Sequence, residues 1–431
     1  ISLWHPMREV GATAKDMLRQ AAAKIWQVDV KDCIAQGGII HLNNSSKRLS
    51  YGKLAELASQ EVPPEKVSLK NPNEFNIIGK SRHSFKQKKV AQAKIAYGLD
   101  TQVPDMKYAA IERCPYIGGK VSHYSAEKAM TIPGVLKVVE IPAIGSPTII
   151  SGGIAVIATH TWAALQARQH LEIEWDTSDV IKDNNDTLKK RLVEAIDKPN
   201  VTMGKKGDAV NTLASSSNIV EMEYFVPFLP HQTMEPPNFI ADARSEQIKF
   251  WGGAQDPGMI SFLLKELGMA KPENINLEVT PIGGGFGRRI TADIAIEAYM
   301  VSKLANEVVQ LVWSREDDMQ HDHYRPTVLH RLRIALDKKG YPNAIHHRIA
   351  STPLITSHVP DNLLNPEGIA RLETSGADHI PYALDHHLCE FSPVKSNIKR
   401  GWLRGVAHSH TSFAVESAIN ELAFMNKVDL I

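Results

Sequence analysis

The sequence predicts an α+β fold of mixed helix and sheet layers, and three observations carry that expectation. A helical apolar pattern fills residues 9–26, alternating strand patterns recur between 135 and 175, and strands and helices take turns from 218 to 313. In 9–26, Val10, Met17, Leu18, Ala21, Ala22 and Ile25 fall at helical spacing, with Lys15, Arg19 and Gln20 on the other face. Residues 39–43 and 48–51 read as a hairpin around 44–46, and 52–58 as a short helix. Residues 59–88 are rich in proline and lysine and read as a linker.

Further along, 135–141 and 154–158 read as strands, 161–169 as a helix and 171–175 as an alternating strand. Residues 177–215 are polar and read as a solvated helix with a connecting loop. From 218 the pattern changes. Val220, Met222, Tyr224 and Val226 share one side of a strand, and Glu221 and Glu223 share the other. After a strand at 248–251, Asp256 and Pro257 open a helix as N-cap and first residue, and Gly268 closes it. A strand at 276–280, a helix at 291–306 and a strand at 308–313 complete a β-α-β-α-β run, which puts ligand loops along one edge.

A chain of 431 residues can bury a sizeable core in two or three domains. Its formal net charge of +1 gives no electrostatic reason to expect nucleic acid as a partner. The longest apolar run, 141–158, is broken by Pro142, Gly145, Pro147, Gly152 and Gly153, so it reads as two buried strands rather than a membrane span. Cys33, Cys114 and Cys389 stand alone, too few for the four-cysteine set of a two-iron cluster, and read as small buried hydrophobes.

Residues 282–290, Ile-Gly-Gly-Gly-Phe-Gly-Arg-Arg-Ile, are the densest local signal. Gly283, Gly284, Gly285 and Gly287 let the backbone turn its amides to one side, and a following helix would add its dipole. Arg288 and Arg289 would add charge-assisted donors. An anion cradle is one reading, and a close-packed turn with solvated arginines is the other. The spacing fits neither a dinucleotide-binding Gly-x-Gly-x-x-Gly nor a Walker A loop, and no Gly-x-Ser-x-Gly elbow occurs in the chain.

The run Gly-Gly-Gly-Phe-Gly-Arg-Arg resembles the signature of molybdenum hydroxylase large subunits, of the isoquinoline 1-oxidoreductase beta-subunit and membrane-bound aldehyde dehydrogenase type. Segments 153–175, 230–236 (PHQTMEP), 313–333 and 401–423 resemble the same family in the same order. The resemblance implies a molybdenum-cofactor-binding domain at 200–431, an α/β hammerhead domain at 90–176, and at 1–75 part of a second cofactor lobe that is otherwise largely missing. It implies hydroxylation of an N-heterocycle or oxidation of an aldehyde, with molybdopterin cytosine dinucleotide as cofactor. Molybdenum would be held through the pterin, and electrons would leave through a small [2Fe-2S] subunit and a cytochrome c subunit. A periplasmic or membrane-associated location and a polypeptide longer than these residues are implied as well.

By that resemblance Gln255 donates to the metal's oxo ligand, and Arg404 offsets charge on the substrate. Gly283, Gly284, Gly285, Phe286, Gly287 and Arg288 join Gln255 and Arg404 in holding the cofactor. Glu235 is expected to be a buried structural carboxylate. The pairs His321/His323 and His408/His410 are expected to be surface or satisfied buried histidines, because His-x-His without a third converging ligand is a weak metal signal. The family's catalytic glutamate lies in a Gly-x-Gly-Glu stretch, and none occurs here. An inactive fragment lacking that base and the second lobe is therefore the alternative to an oxidoreductase subunit.

Overall fold

A computed structural model describes residues 3–145, 150–178, 180, 183–198, 201–359 and 365–429. Pro147 and the terminal Ile431 lie outside them. The chain divides into two compact units, Ile1–Gln92 and Ala93–Ile431.

In the first unit the helix is Trp4–Trp26, ended by Gln27 in the left-handed region at φ 56°. It packs Ala21, Ala22 and Ala23 against Cys33, Ile40, Leu54 and Ala58. The expected hairpin is the pair Ile39–Leu42 and Arg48–Ser50. A further strand, Cys33–Gln36, joins it through a turn at Gly37 and Gly38. Four residues are too few to show an alternation. Ser50 then caps the helix Tyr51–Ala58 by accepting from the Lys53 amide.

In the second unit, seven strands form one mixed sheet. Its order is Ile275–Val279, Ile248–Gly252, Asn238–Asp242, Val309–Val312, Lys107–Glu112, Gly153–Ala158 and Val135–Ile141. Strands from the 90–176 segment and from 238–312 thus share one sheet. The helix Asp293–Ala305 is buried nearly all round beside it, with Ile294, Ala295, Ala298 and Val301 in the core. Ile248–Gly252 and Ile275–Val279 run parallel. The loops that leave their carboxyl ends are therefore neighbours, the usual place for a ligand in such sheets.

A second sheet has the order Ile219–Val226, Val328–Leu336, Pro342–Ser351, His386–Pro393 and Val201–Lys206. The helix Asn185–Ile196 buries Leu188, Leu192 and Ile196 against it, so the expectation of a solvated helix and loop at 177–215 is corrected. Strand Val201–Lys206 was also unforeseen. Its two lysines and Gly204 hide the alternation, and pairing with His386–Pro393 supplies what propensity does not. Helix His408–Met425 covers the opposite face through Ala414, Ala418 and Leu422.

Candidate functional site

The glycine loop follows strand Ile275–Val279 and bends through positive φ at Gly284 (107°), Phe286 (55°) and Gly287 (109°). At Gly287 glycine is obligatory, since a Cβ there would lie 1.4 Å from the Trp402 carbonyl oxygen. A Cβ on Gly285 would meet Gln255 Oε1 at 2.4 Å. The loop is thus wedged between the segment carrying Gln255 and the one leading to Arg404.

Its amides divide into two sets. Gly283 donates to Glu235 Oε2 at 2.7 Å, and Gly287 and Arg289 donate to Gln255 Oε1 at 3.0 and 3.3 Å. The amides of Gly284, Gly285 and Phe286 find no acceptor among the described residues. Three consecutive free donors are what an anion needs. The helix dipole, however, does not reach them. The turn Arg288–Ile290 intervenes, the helix opens only at Asp293, and that carboxylate occupies its first turn.

The expectation that Arg288 and Arg289 reach toward an anion is corrected. Both are buried, at 1% and 3% exposure. Arg288 grips Asp293 with both terminal nitrogens at 2.9 and 2.8 Å and donates to Thr291. Its Nε faces Asp322 at 2.8 Å as an ion pair without hydrogen-bond alignment. Even its backbone amide is taken, by the Gly285 carbonyl. Burial alone would make this guanidinium easier to deprotonate, but Asp293 and Asp322 more than offset it. Arg289 donates to the carbonyls of Glu235 and Pro236. The physical reason is local: five residues on, Asp293 offers a carboxylate inside the protein, where an ion pair outcompetes solvent.

Gln255 is exposed and follows strand Ile248–Gly252. Because its Oε1 accepts from two loop amides, its Nε2 is the end left to donate elsewhere. Glu235 is buried as expected, accepting from Leu99, Asn238 and Gly283. Phe286 is 45% exposed on the outer face of the loop. Arg404, two residues beyond Trp402, is exposed and makes no ion pair with a described residue. Gln255 and the loop are therefore brought together, and the Trp402 backbone that leads to Arg404 lies against Gly287.

His323 is buried 3.4 Å from Asp293, while His410 is buried against His330 at 3.2 Å and His408 is exposed. Sequence reasoning gave no role to His231 or Asp322, which tie the site's segments together from below. The signal was present in His-Asp-His at 321–323, an unusual charge for a segment that turns out buried.

Residues 193–431 match the molybdopterin cofactor-binding domain family. The chain is 25% identical to a membrane-bound aldehyde dehydrogenase of Gluconacetobacter polyoxogenes, named for pyrroloquinoline quinone, over 99% of this chain and 56% of that one. It is 24% identical to isoquinoline 1-oxidoreductase subunit beta of Brevundimonas diminuta, over 97% of this chain and 58% of that one. The chain thus spans little more than half the length of these relatives. In fold it is similar to quinoline 2-oxidoreductase from Pseudomonas putida 86, with a TM-score of 0.63 at 16% identity, covering 81% of this chain and 49% of that one. The chain belongs to the molybdopterin cofactor-binding domain family.

Proposed function

We propose that the chain is the molybdopterin-binding part of an oxidoreductase that hydroxylates an N-heterocycle or oxidises an aldehyde with oxygen taken from water. The observation that carries this reading is the meeting of three free amides and the Gln255 side chain at the glycine loop, with the Trp402 carbonyl, two residues before Arg404, packed on Gly287. These donors suit an anionic, oxygen-rich group, and the Glu235 carboxylate beside Gly283 is buried and bonded. Such a group, when bound, supplies a metal centre that takes up the electron pair leaving the substrate.

The chain's own residues bind and orient. The amides of 284–286 hold anionic oxygens without titrating. Gln255 offers a neutral donor at a position fixed by its own bonded oxygen. Arg404 offsets negative charge developing on a carbonyl oxygen or ring nitrogen. The reaction converts a C–H bond and water to C–OH, an electron pair and two protons, so it needs an electron acceptor. With three cysteines, the chain leaves that task to a separate [2Fe-2S] subunit, followed by a cytochrome c subunit. The cytosine dinucleotide form of the cofactor and a periplasmic or membrane-associated location rest on the family resemblance. No helix among the described residues is long and apolar enough to cross a membrane.

Metal, nucleotide and quinone analysis of the protein from a host that makes the cofactor tests the reading. Stoichiometric molybdenum with cytidine nucleotide is expected. Molybdenum with another nucleotide would remove only the dinucleotide form, and pyrroloquinoline quinone without molybdenum would overturn the whole. A second reading, that these residues alone do not turn over, is favoured by the missing Gly-x-Gly-Glu. A general base is worth about 10²–10⁴ in rate. Turnover by the molybdenum-loaded protein at a rate undiminished by that factor would overturn this second reading.

A further inference from the structure

His231 sits in the Pro-His-Gln-Thr-Met-Glu-Pro segment, and its side chain is fully buried. Its Nδ1 lies 3.0 Å from Asp322 Oδ2, and its Nε2 lies 2.9 Å from the Trp402 carbonyl oxygen. Neither partner can donate. The carbonyl has no proton to give, and Asp322 is surrounded by donors. Its Oδ2 also accepts from the His231 amide at 2.6 Å, and its Oδ1 accepts from the His323 amide at 2.7 Å and faces Arg288. Burial alone would raise its pKa, yet His231 and Arg288 hold it down at about 2. A neutral imidazole carries one N–H and one lone pair. Whichever nitrogen lacked its proton would press a lone pair against an oxygen, between side chains that are fully buried. That arrangement is as unfavourable as any buried unsatisfied polar pair.

We infer that His231 is a positioning residue held as a doubly protonated imidazolium, whose Nε2–H clamps the Trp402 carbonyl, and with it the backbone leading to Arg404, against the glycine loop. The carbonyl it grips is the same one that excludes any Cβ from Gly287. Through Asp322 the clamp is also tied to Arg288, the residue directly after that glycine. The Trp402 ring is held separately, 4.4 Å from the His358 ring, which stacks on His323 at 5.7 Å. The backbone before Arg404 is thus fixed by a charge on its carbonyl and by rings on its side chain. The consequence for substrate charge rests on the function proposed above, but the clamp itself does not.

Neutron diffraction from deuterium-exchanged crystals of the full chain at neutral pH reads the protonation directly. Deuterium on both ring nitrogens of His231 is expected, and deuterium on only one overturns the inference. Independently, His231→Gln should speed amide exchange in residues 401–407 about tenfold or more relative to the strand Ile248–Gly252, as expected for losing a hydrogen bond to a charged group. Unchanged exchange there would sink the clamp. If the glutamine variant does not fold, the neutron map of the unaltered chain still decides. Neither readout needs a cofactor. A protein with both deuterons that never takes up molybdenum would refute the proposed function and leave the clamp standing.

Discussion

Two polar clusters are buried in the second unit, and they solve the same problem in opposite ways. Beneath the glycine loop the groups are charged. Arg288 pairs with Asp293 and Asp322, and Arg113 pairs with Glu297, which also accepts from the Trp313 ring N–H. Between the five-stranded sheet and the helix His408–Met425 a column of histidines runs from His347 to His330 to His410, joined at 2.9 and 3.2 Å. Burial pushes His347 and His410 down to about 3, and His330 well below its ordinary value. Imidazoles bonded head to tail need one proton each, whereas His231 faces two oxygens and needs two. Partner chemistry, not burial alone, decides which histidine carries charge.

The largest effect expected is the response to acid. His321, His347, His358 and His410 all have native pKa values of about 3, with burial as the first cause. Between about 6.5, the unfolded value, and 3, the unfolded chain binds protons that the native one refuses. Stability is therefore full above that window and falls with pH inside it, by up to about 1.4 kcal/mol per pH unit per histidine. Denaturant unfolding at pH 7.5 and 5 checks this, and a flat profile would contradict neutral burial. Asp322, held at about 2, should add nothing to the loss until the pH is far lower.

Next comes Arg288→Met, which strands two carboxylates and should destabilise by about 3–5 kcal/mol. His330→Leu leaves only neutral nitrogens unpaired and should cost about 1–3 kcal/mol. Equal midpoint shifts in urea would erase the contrast between the clusters. Gly287→Ala, at φ 109° and facing the Trp402 oxygen, should cost about 2–4 kcal/mol and abolish molybdenum uptake. The smallest stability effect is expected at exposed Arg404. Arg404→Ala should stay within about 0.5 kcal/mol in thermal unfolding while the assembled enzyme loses kcat. Unchanged kcat would remove Arg404 from the reaction.

Much of the scaffold was legible because its signals are local. The cap of Asp256 on the Met259 amide, the strand Ile248–Gly252 and the glycine turn each lie within a few residues of their cause. What escaped depends on distant pairing. Val201–Lys206 is a strand because His386–Pro393 is beside it. The two arginines after the glycine loop looked solvent-facing because a sequence does not say where a counter-charge will stand. Likewise the bond from Gln255 to the Gly287 amide spans 32 positions, and that from His231 to Trp402 spans 171.

By itself the sequence determined the mixed helix and sheet layers, the glycine-rich turn after a strand, and the family to which the chain belongs. The tertiary structure alone decided which donors face outward. Backbone geometry follows from steric limits on each residue and its neighbours. The direction and protonation of a buried polar group follow from the partners folding brings to it, and only the three-dimensional arrangement supplies those partners.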